Sequence, residues 1–119
     1  MSGKILLVDD NTDLLMITQI ILKGQGYDTV LARSVEEAER KIRIHDPSLV
    51  LLDVKIGDDD GRVFCKRLKK YDSTLRIILM SGDDCLEYRA SAADDFLPKP
   101  FDFNELLSKV QNQLVAEAI

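Results

Sequence analysis

Carboxylate, hydroxyl and ammonium groups follow short apolar runs at four places in the sequence. Asp9 and Asp10 follow "KILLV", Asp53 ends "SLVLLD", Ser81 ends "LRIILMS", and Lys99 follows "DFLP". If these runs are parallel strands of one sheet, their carboxyl ends lie at the same edge, where ligands bind in open parallel sheets. We therefore expect three carboxylates, one hydroxyl and one ammonium group to share one site.

This set of groups suits phosphoryl chemistry. Three neighbouring aspartates repel one another, and their pKa values would rise unless a cation lay among them. Oxygen ligands without histidine or thiolate favour a hard ion, and Mg²⁺ fits because it binds one or two carboxylates together with phosphate. A carboxylate beside Mg²⁺ and a lysine can be the nucleophile of phosphoryl transfer, while both cations neutralise the transferring oxygens.

Each group also has a purely structural explanation when it is taken alone. An Asp-Asp pair after a strand is commonly a turn or a helix cap, and Asp53 could simply end its strand. Ser81 before Gly82 is a common turn pair, and an isolated lysine such as Lys99 is usually a solvated surface residue. It is the joint placement at the ends of four strands that favours a functional site.

The elements that must position these groups alternate strictly along the chain. Asn11 or Thr12 is the expected N-cap of the first helix, and Ser34 with Glu37 forms a capping box at the second. Alternating strands and helices imply a doubly wound α/β fold, a five-stranded parallel sheet with five helices on both faces. The predicted strands are 4–8, 28–32, 48–53, 75–81 and 95–98, and the predicted helices are 11–26, 34–45, 61–71, 84–92 and 103–118.

Length and composition narrow the class of protein. The 119 residues suit one domain over 1–119, and a net charge of −5 argues against a nucleic-acid-binding surface. No apolar run approaches the roughly 20 residues of a membrane span, and no signal peptide precedes the first strand. Cys65 and Cys85 lack metal-ligand spacing, so reduced thiols and a cytoplasmic location are expected.

Four motifs resemble those of the bacterial response-regulator receiver domain, of the chemotaxis-regulator type. They are "LLVDDN" (6–11), "LVLLDVKIGDDDG" (49–61), "LMSG" (79–82) and "DDFLPKPFD" (94–102), and the resemblance covers the whole chain. It implies the flavodoxin-like strand order 2-1-3-4-5, for which a member of this family is a known example. It also implies a signalling domain rather than an enzyme, one that supports its own phosphorylation and slow autodephosphorylation.

The resemblance implies roles for individual residues. Asp53 would accept a phosphoryl group from the phosphohistidine of a sensor histidine kinase or a phosphotransfer domain. Asp10 would bind Mg²⁺ together with Asp53 and the backbone carbonyl of Lys55, and Asp9 would do so directly or through water. A downstream effector is the implied recipient of the signal, with no nucleic acid or membrane bound by this domain itself.

Four further positions match the switch region of the family. Ser81 corresponds to the switch hydroxyl, Phe96 to the aromatic switch residue, and Lys99 to the lysine that pairs with the phosphoryl group. The family pattern also implies a cis peptide bond between Lys99 and Pro100, although only about 5–6% of such bonds are cis in proteins.

The sequence departs from the family pattern in two segments. Gly57 stands where proline is common and Asp59 where an apolar residue is usual, and Asp58–Asp60 are expected to form a solvated loop and a helix N-terminus. Lys99 follows Ser81 by 18 positions. That is about four fewer than is usual, or roughly one helical turn, so the fourth helix is predicted to be short.

The first helix carries more apolar residues than one buried face needs. Helical spacing predicts one face toward the core and leaves two apolar residues pointing away, where a kinase or phosphotransfer domain could dock; scattered exposed apolar residues are also normal. The predicted core face is Leu14, Ile17, Thr18 and Ile21, and the outward residues are Met16 and Ile20.

Two other functions remain open at this point. An aspartate-nucleophile phosphatase would need an aspartate two positions after a nucleophile at Asp9, but Asn11 stands there. A pseudo-receiver would bind partners without being phosphorylated, although the complete set of site residues argues against it.

Overall fold

The computed structural model describes residues 3–82 and 92–118, with side chains to residue 115. Its centre is a five-stranded parallel sheet in the order β2-β1-β3-β6-β7, which confirms the predicted order 2-1-3-4-5 once the short strands β4 and β5 are set aside. The strands are β1 (Lys4–Val8), β2 (Asp28–Ala32), β3 (Leu49–Asp53), β4 (Lys55–Ile56), β5 (Asp59–Asp60), β6 (Arg76–Ser81) and β7 (Asp95–Pro98).

Four helices lie within the described residues. They are α1 (Thr12–Gly24), α2 (Val35–His45), α3 (Gly61–Tyr71) and α4 (Phe103–Ala118). The short helix predicted at 84–92 falls almost wholly on 83–91, outside the described residues. None of the helices described is long and apolar enough to cross a membrane.

The central strand β3 is apolar because both faces of the sheet are covered. Each of its five residues is buried, as expected for a parallel strand between two helical layers. On one face, Leu6, Val50 and Ile77 pack with residues of α2 and α3. On the other face, Leu7 and Leu51 pack with residues of α1 and α4.

Polar side chains cap the four described helices and so fix where each begins; at α4, Asp102 accepts from the backbone N–H of Glu105 at 2.7 Å. Asn11 accepts from the backbone N–H of Leu14 at 3.1 Å, and Ser34 Oγ accepts from the N–H of Glu37 at the same distance. Asp60 accepts from the N–H of Arg62 at 2.8 Å. Each cap satisfies a donor in the first turn, and α1 and α3 begin directly after the loops that carry site residues.

The predicted core face of α1 is wrong in part. The buried residues of this helix are Leu15, Thr18 and Leu22, whereas Ile17 is 49% exposed. The helix is therefore rotated relative to the prediction. The predicted face borders a surface groove instead. The prediction failed because apolar residues lie nearly all round this helix, and spacing alone does not select which of them meet the sheet.

The segment between β3 and α3, predicted as a loop, forms a short β-hairpin in which each strand has two residues. Lys55 pairs with Asp60 and Ile56 with Asp59 in antiparallel register. Strands this short carry no periodic pattern, so the sequence gives little sign of them. The hairpin lies directly after Asp53 and thus borders the predicted site.

Candidate functional site

The sheet brings the predicted site residues to one edge. Asp9 follows β1, Asp53 ends β3, Ser81 ends β6, and Lys99 follows β7. The register aligns these ends, because Asp53 pairs with Met80, the residue before Ser81. Asp9, Asp53 and Ser81 are buried, although their side chains are polar. Buried ionisable groups gathered at the ends of strands are characteristic of functional sites.

Lys99 connects two of the strand ends through its ammonium group. Its Nζ lies 2.9 Å from Asp9 Oδ2 and 3.0 Å from Asp53 Oδ2, within hydrogen-bond distance of both. Its own backbone N–H donates to the carbonyl of Ser81 at 2.7 Å, and the Lys99–Pro100 peptide bond is cis. The amine is therefore held over the ends of β1 and β3 while its backbone is tied to the end of β6.

The electrostatics of Asp53 reflect burial and a like-charged neighbour. Burial, and then the charge of Asp9, raise the pKa of Asp53 from 3.8 to about 6, against the lowering effect of Lys99. Burial would lower the pKa of Lys99, but its hydrogen bonds to Asp9 and Asp53 outweigh this and raise it. At neutral pH the site thus holds an ionised Asp53 next to an ammonium ion.

The site can hold a metal ion. Asp9, Asp10 and Asp53 each offer a carboxylate oxygen, and these oxygens all lie within 4.8 Å of one another. All the ligand atoms are hard oxygens, and the repulsion that raises the pKa of Asp53 is the kind that a divalent cation relieves. The residues present therefore fit a hard divalent cation.

The other predicted site residues lie around this cluster. The backbone N–H of Lys55 is 3.3 Å from Asp53 Oδ1, and its side chain is exposed. Phe96 is half-buried and packs against the core that faces α2 and α3. It pairs with Leu79, two residues before Ser81.

Three residues that the sequence analysis did not place in the site also shape it. The N–H of Asn11 donates to Asp9 Oδ1 at 3.0 Å, and the N–H of Gly57 donates to Asp10 Oδ2 at 3.0 Å. A Cβ added at Gly61 would lie 2.0 Å from the carbonyl oxygen of Asp53, so only glycine fits there. For Gly61, the available signal in the sequence was a glycine shortly after the strand that ends at Asp53.

An apolar groove opens beside Lys99. It has a volume of about 580 Å³ and runs between α1 and the segment that joins β7 to α4. Ile17 and Phe103 are about half exposed in its wall, and Met16 and Ile20 lie exposed on the same helix as Ile17. The lining residues are Leu14, Ile17, Thr18, Ile21, Gly82, Lys99, Pro100, Phe101 and Phe103.

Comparison with known proteins gives a consistent result. Residues 5–111 match the family described as the response regulator receiver domain. A CheY-like response regulator receiver domain protein from Methanospirillum hungatei superposes with a TM-score of 0.92 at 29% identity, over 99% of this chain and 98% of that one. A putative response regulator from Chloroflexus aurantiacus superposes with a TM-score of 0.88 at 30% identity, over 97% and 99% of the two chains.

Curated relatives are longer than this chain. The alkaline phosphatase synthesis transcriptional regulatory protein PhoP of Bacillus subtilis is 33% identical over 93% of this chain and 48% of its own length. The DNA-binding response regulator MtrA of Mycobacterium tuberculosis is 33% identical over 96% of this chain and 51% of its own. The chain spans about half the length of these two relatives.

Proposed function

The chain belongs to the response regulator receiver domain family, and from that premise we propose that it is a phosphorylation-dependent signalling receiver. Asp53 accepts a phosphoryl group from the phosphohistidine of a sensor histidine kinase or a phosphotransfer domain. The observation that carries the proposal is the position of Lys99 Nζ, 2.9 Å from Asp9 and 3.0 Å from Asp53. A cation held there by two buried carboxylates is poised to neutralise a phosphoryl group on either neighbour.

In the proposed reaction an ionised oxygen of Asp53 attacks the phosphorus of the donor. A P–O bond forms, the P–N bond to the donor histidine breaks, and its electron pair returns to the imidazole. Because its pKa is about 6, Asp53 is mostly ionised at neutral pH and needs no separate base. Lys99 moves from neutralising the carboxylate to neutralising the transferred oxygens.

We assign the metal site to Mg²⁺, held by Asp9, Asp10, Asp53 and the backbone carbonyl of Lys55. When bound, Mg²⁺ supplies positive charge next to the attacking and transferred oxygens. Ser81 and Phe96 form the switch, the hydroxyl turning toward the phosphoryl group and the ring changing its packing. Slow loss of the phosphoryl group to water resets the domain, which otherwise has no enzymatic role.

The test is incubation with acetyl phosphate and Mg²⁺ followed by intact-mass measurement. We expect one added phosphoryl group on the wild type and none on Asp53→Asn or in the presence of EDTA. A wild type that stays unmodified would instead favour a phosphorylation-independent pseudo-receiver. Repeated turnover of a simple phosphate ester would favour the aspartate-nucleophile phosphatase.

The phosphodonor is proposed to dock on the apolar patch formed by Met16, Ile17, Ile20 and Phe103. These four side chains are 49–68% exposed, and two of them line the groove that reaches Lys99. A partner helix laid on this patch would lie beside the groove that reaches Lys99, whose Nζ contacts the acceptor carboxylate.

Changing Met16 and Ile20 to glutamine tests the docking site. We expect slower transfer from a phosphorylated kinase or phosphotransfer domain, with unchanged labelling by acetyl phosphate, which is too small to need the patch. The matched control is Val63→Gln, since Val63 is 62% exposed on α3, away from the groove. Equal slowing with both donors would mean that the substitutions act on the site and not on docking.

The signal is proposed to pass to a downstream effector in the cytoplasm. The longer curated relatives include a protein whose name describes DNA binding, but they share with this chain only about half of their length. We assign no nucleic-acid or membrane binding to the region described.

A further inference from the structure

The β4–β5 hairpin has a turn that only a few residue types can form. Its two loop residues are Gly57 and Asp58, between the pairs Ile56–Asp59 and Lys55–Asp60. Gly57 has a φ of +60°, in the left-handed region that glycine adopts without a steric penalty. Glycine with positive φ at the first loop position is the pattern of a type II′ turn, which matches the twist of a hairpin.

The turn presents a backbone donor to a site residue 47 positions away in the sequence. The N–H of Gly57 donates to Asp10 Oδ2 at 3.0 Å. Asp10 is exposed, so without this contact its carboxylate would be free to rotate in water. Proline, which is common at this position in the family, has no N–H and could not make the bond.

The hairpin itself is anchored, so the Gly57 donor occupies a defined place. Ile56 is 2% exposed and belongs to the core on the α2–α3 face. At the other end, Asp60 caps α3 and forms an ion pair with Arg62, Oδ2 to Nη2, of 2.7 Å. Beside them, the N–H of Lys55 lies 3.3 Å from Asp53 Oδ1. The same short element thus contacts two of the three candidate metal-binding carboxylates.

We propose that Gly57 is a positioning residue, whose amide orients the Asp10 carboxylate for the divalent cation. This inference rests on the metal site of the proposed function. A hydrogen bond to one oxygen of a carboxylate restricts rotation and leaves the other oxygen for the cation. Partners in this outer position typically change metal affinity by about tenfold or more when they are lost.

The sharpest test removes only the donor. Glycolic acid in place of Gly57 converts the Ile56–Gly57 amide into an ester, which replaces N–H by oxygen and permits the positive φ. The ester-containing chain can be made by chemical synthesis, because a synthetic 1–64 thioester can be ligated to residues 65–119 at Cys65. The matched control is the all-amide chain assembled by the same ligation, and Gly57→Asn is a second control that keeps the N–H and tolerates positive φ.

Cation affinity is measured by the EPR signal of free Mn²⁺ and its displacement by Mg²⁺, after circular dichroism has established equal folding. We expect the all-amide chain and Gly57→Asn to bind alike and the ester to bind about tenfold more weakly. Equal binding by ester and amide overturns the positioning role while leaving the metal site intact. Absence of binding by every chain, including the all-amide one, overturns the metal site and the inference with it.

Hydrogen exchange gives an independent readout that needs neither metal nor synthesis. In ¹⁵N-labelled protein with EDTA, we expect the Gly57 amide to exchange about tenfold more slowly in the wild type than in Asp10→Ala, because the acceptor protects the proton. The Glu37 amide, which donates to Ser34 at the start of α2, is the internal control and should be unchanged. Equal exchange of Gly57 in both proteins would show that the contact does not hold the loop, and the inference would fail.

Discussion

At the scale of single residues, the carboxylates of the candidate site lower the stability of the folded protein. Asp53 and Asp9 are both buried next to one ammonium group, so two negative charges share one positive charge. The pKa of Asp53, raised to about 6 by burial and then by Asp9, means that its ionisation opposes folding. Functional carboxylates are commonly kept at such a cost.

Replacing Asp53 by asparagine should therefore stabilise the metal-free protein. The raised pKa gives the folded state a stabilising contribution that is complete below about pH 3.8 and is lost as the pH rises through about 6. Asparagine does not ionise, so we expect Asp53→Asn to be more stable by about 1–2 kcal/mol near neutral pH, with a smaller difference near pH 4. Urea unfolding in EDTA at both pH values measures this.

Mg²⁺ should reverse the order of stability, so that the wild type becomes more stable than Asp53→Asn. A ligand at a hundred times its Kd stabilises the folded state by about 2.7 kcal/mol, and the variant lacks one of the proposed ligands. Repeating the unfolding with MgCl₂ supplies the control. A variant that is less stable than the wild type in EDTA at neutral pH would contradict the electrostatic account.

Cys65 offers a second prediction at this scale. Burial, partly opposed by Lys69, raises the pKa of its thiol from 9.0 to about 11. Because the thiolate is the reactive form, alkylation near pH 8 should be about a hundredfold slower in the folded protein than in urea. The measurement uses iodoacetamide and mass spectrometry in a Cys85→Ser background. Similar rates in the two states would indicate that the folded protein opens around α3.

At the scale of elements, the approach of α3 to β3 depends on one glycine. A Cβ at Gly61 would meet the backbone oxygen of Asp53 at 2.0 Å, and the N–H of Gly61 donates to the carbonyl of Val54 at 2.6 Å. A side chain there must push the helix away from the strand that carries the proposed phosphoacceptor.

Gly61→Ala should lower the free energy of unfolding by about 1–3 kcal/mol, the usual cost of overpacking. It should also slow labelling by acetyl phosphate, because the end of β3 must move. Gly24→Ala is the matched control, since nothing lies within 4 Å of an added Cβ at this helix end. We expect the control to be unchanged or up to about 1 kcal/mol more stable. Equal effects of the two substitutions in denaturant unfolding would contradict the steric account.

The elements themselves were largely predictable from the sequence. The continuous apolar run before Asp53 and the caps at Asn11 and Ser34 are local signals, and the structure confirms them. The side of α1 that packs on the sheet was not predictable. Leu15 is buried and Ile17 is half exposed, although both are large and apolar, because sheet geometry and not composition selects the buried side.

The candidate site was predictable in its members but not in their contacts. Strand ends at one edge placed Asp9, Asp53 and Lys99 together, since parallel strands share their direction. The bond from Gly57 to Asp10 spans 47 positions and depends on a turn conformation that no periodic pattern indicates. Backbone donors of this kind are invisible in a list of side chains.

At the scale of the whole molecule, one charged cluster joins α3 to the sheet at the end opposite the candidate site. Asp94 forms ion pairs with Lys69 of α3 at 2.7 Å and with Arg76 of β6 at 3.3 Å. It also accepts from the backbone N–H of Ile77 at 2.8 Å and donates its own N–H to the carbonyl of that residue. The side chains of Asp94 and Lys69 are 17% and 14% exposed.

Asp94→Ala should cost about 2–3 kcal/mol, because it leaves a largely buried ammonium group without its carboxylate partner. The control is Glu37→Ala, which removes a more exposed pair with Lys41 and should cost less than about 1 kcal/mol. Thermal and urea unfolding of both variants measure the loss in the free energy of unfolding that each substitution causes. Similar small losses would mean that water replaces Asp94 readily and that the cluster adds little to the fold.

The order of the strands leaves β2 and β7 at the two borders of the sheet. A sheet open at both sides invites another chain to add a strand and begin aggregation. On the β7 side, Pro98 lacks the backbone N–H that an added strand would need as a hydrogen-bond donor. On the β2 side, Lys41 covers the carbonyl of Leu31 with a hydrogen bond of 2.5 Å. A lysine on one border and a proline on the other thus each remove one backbone group to which an added strand could bond.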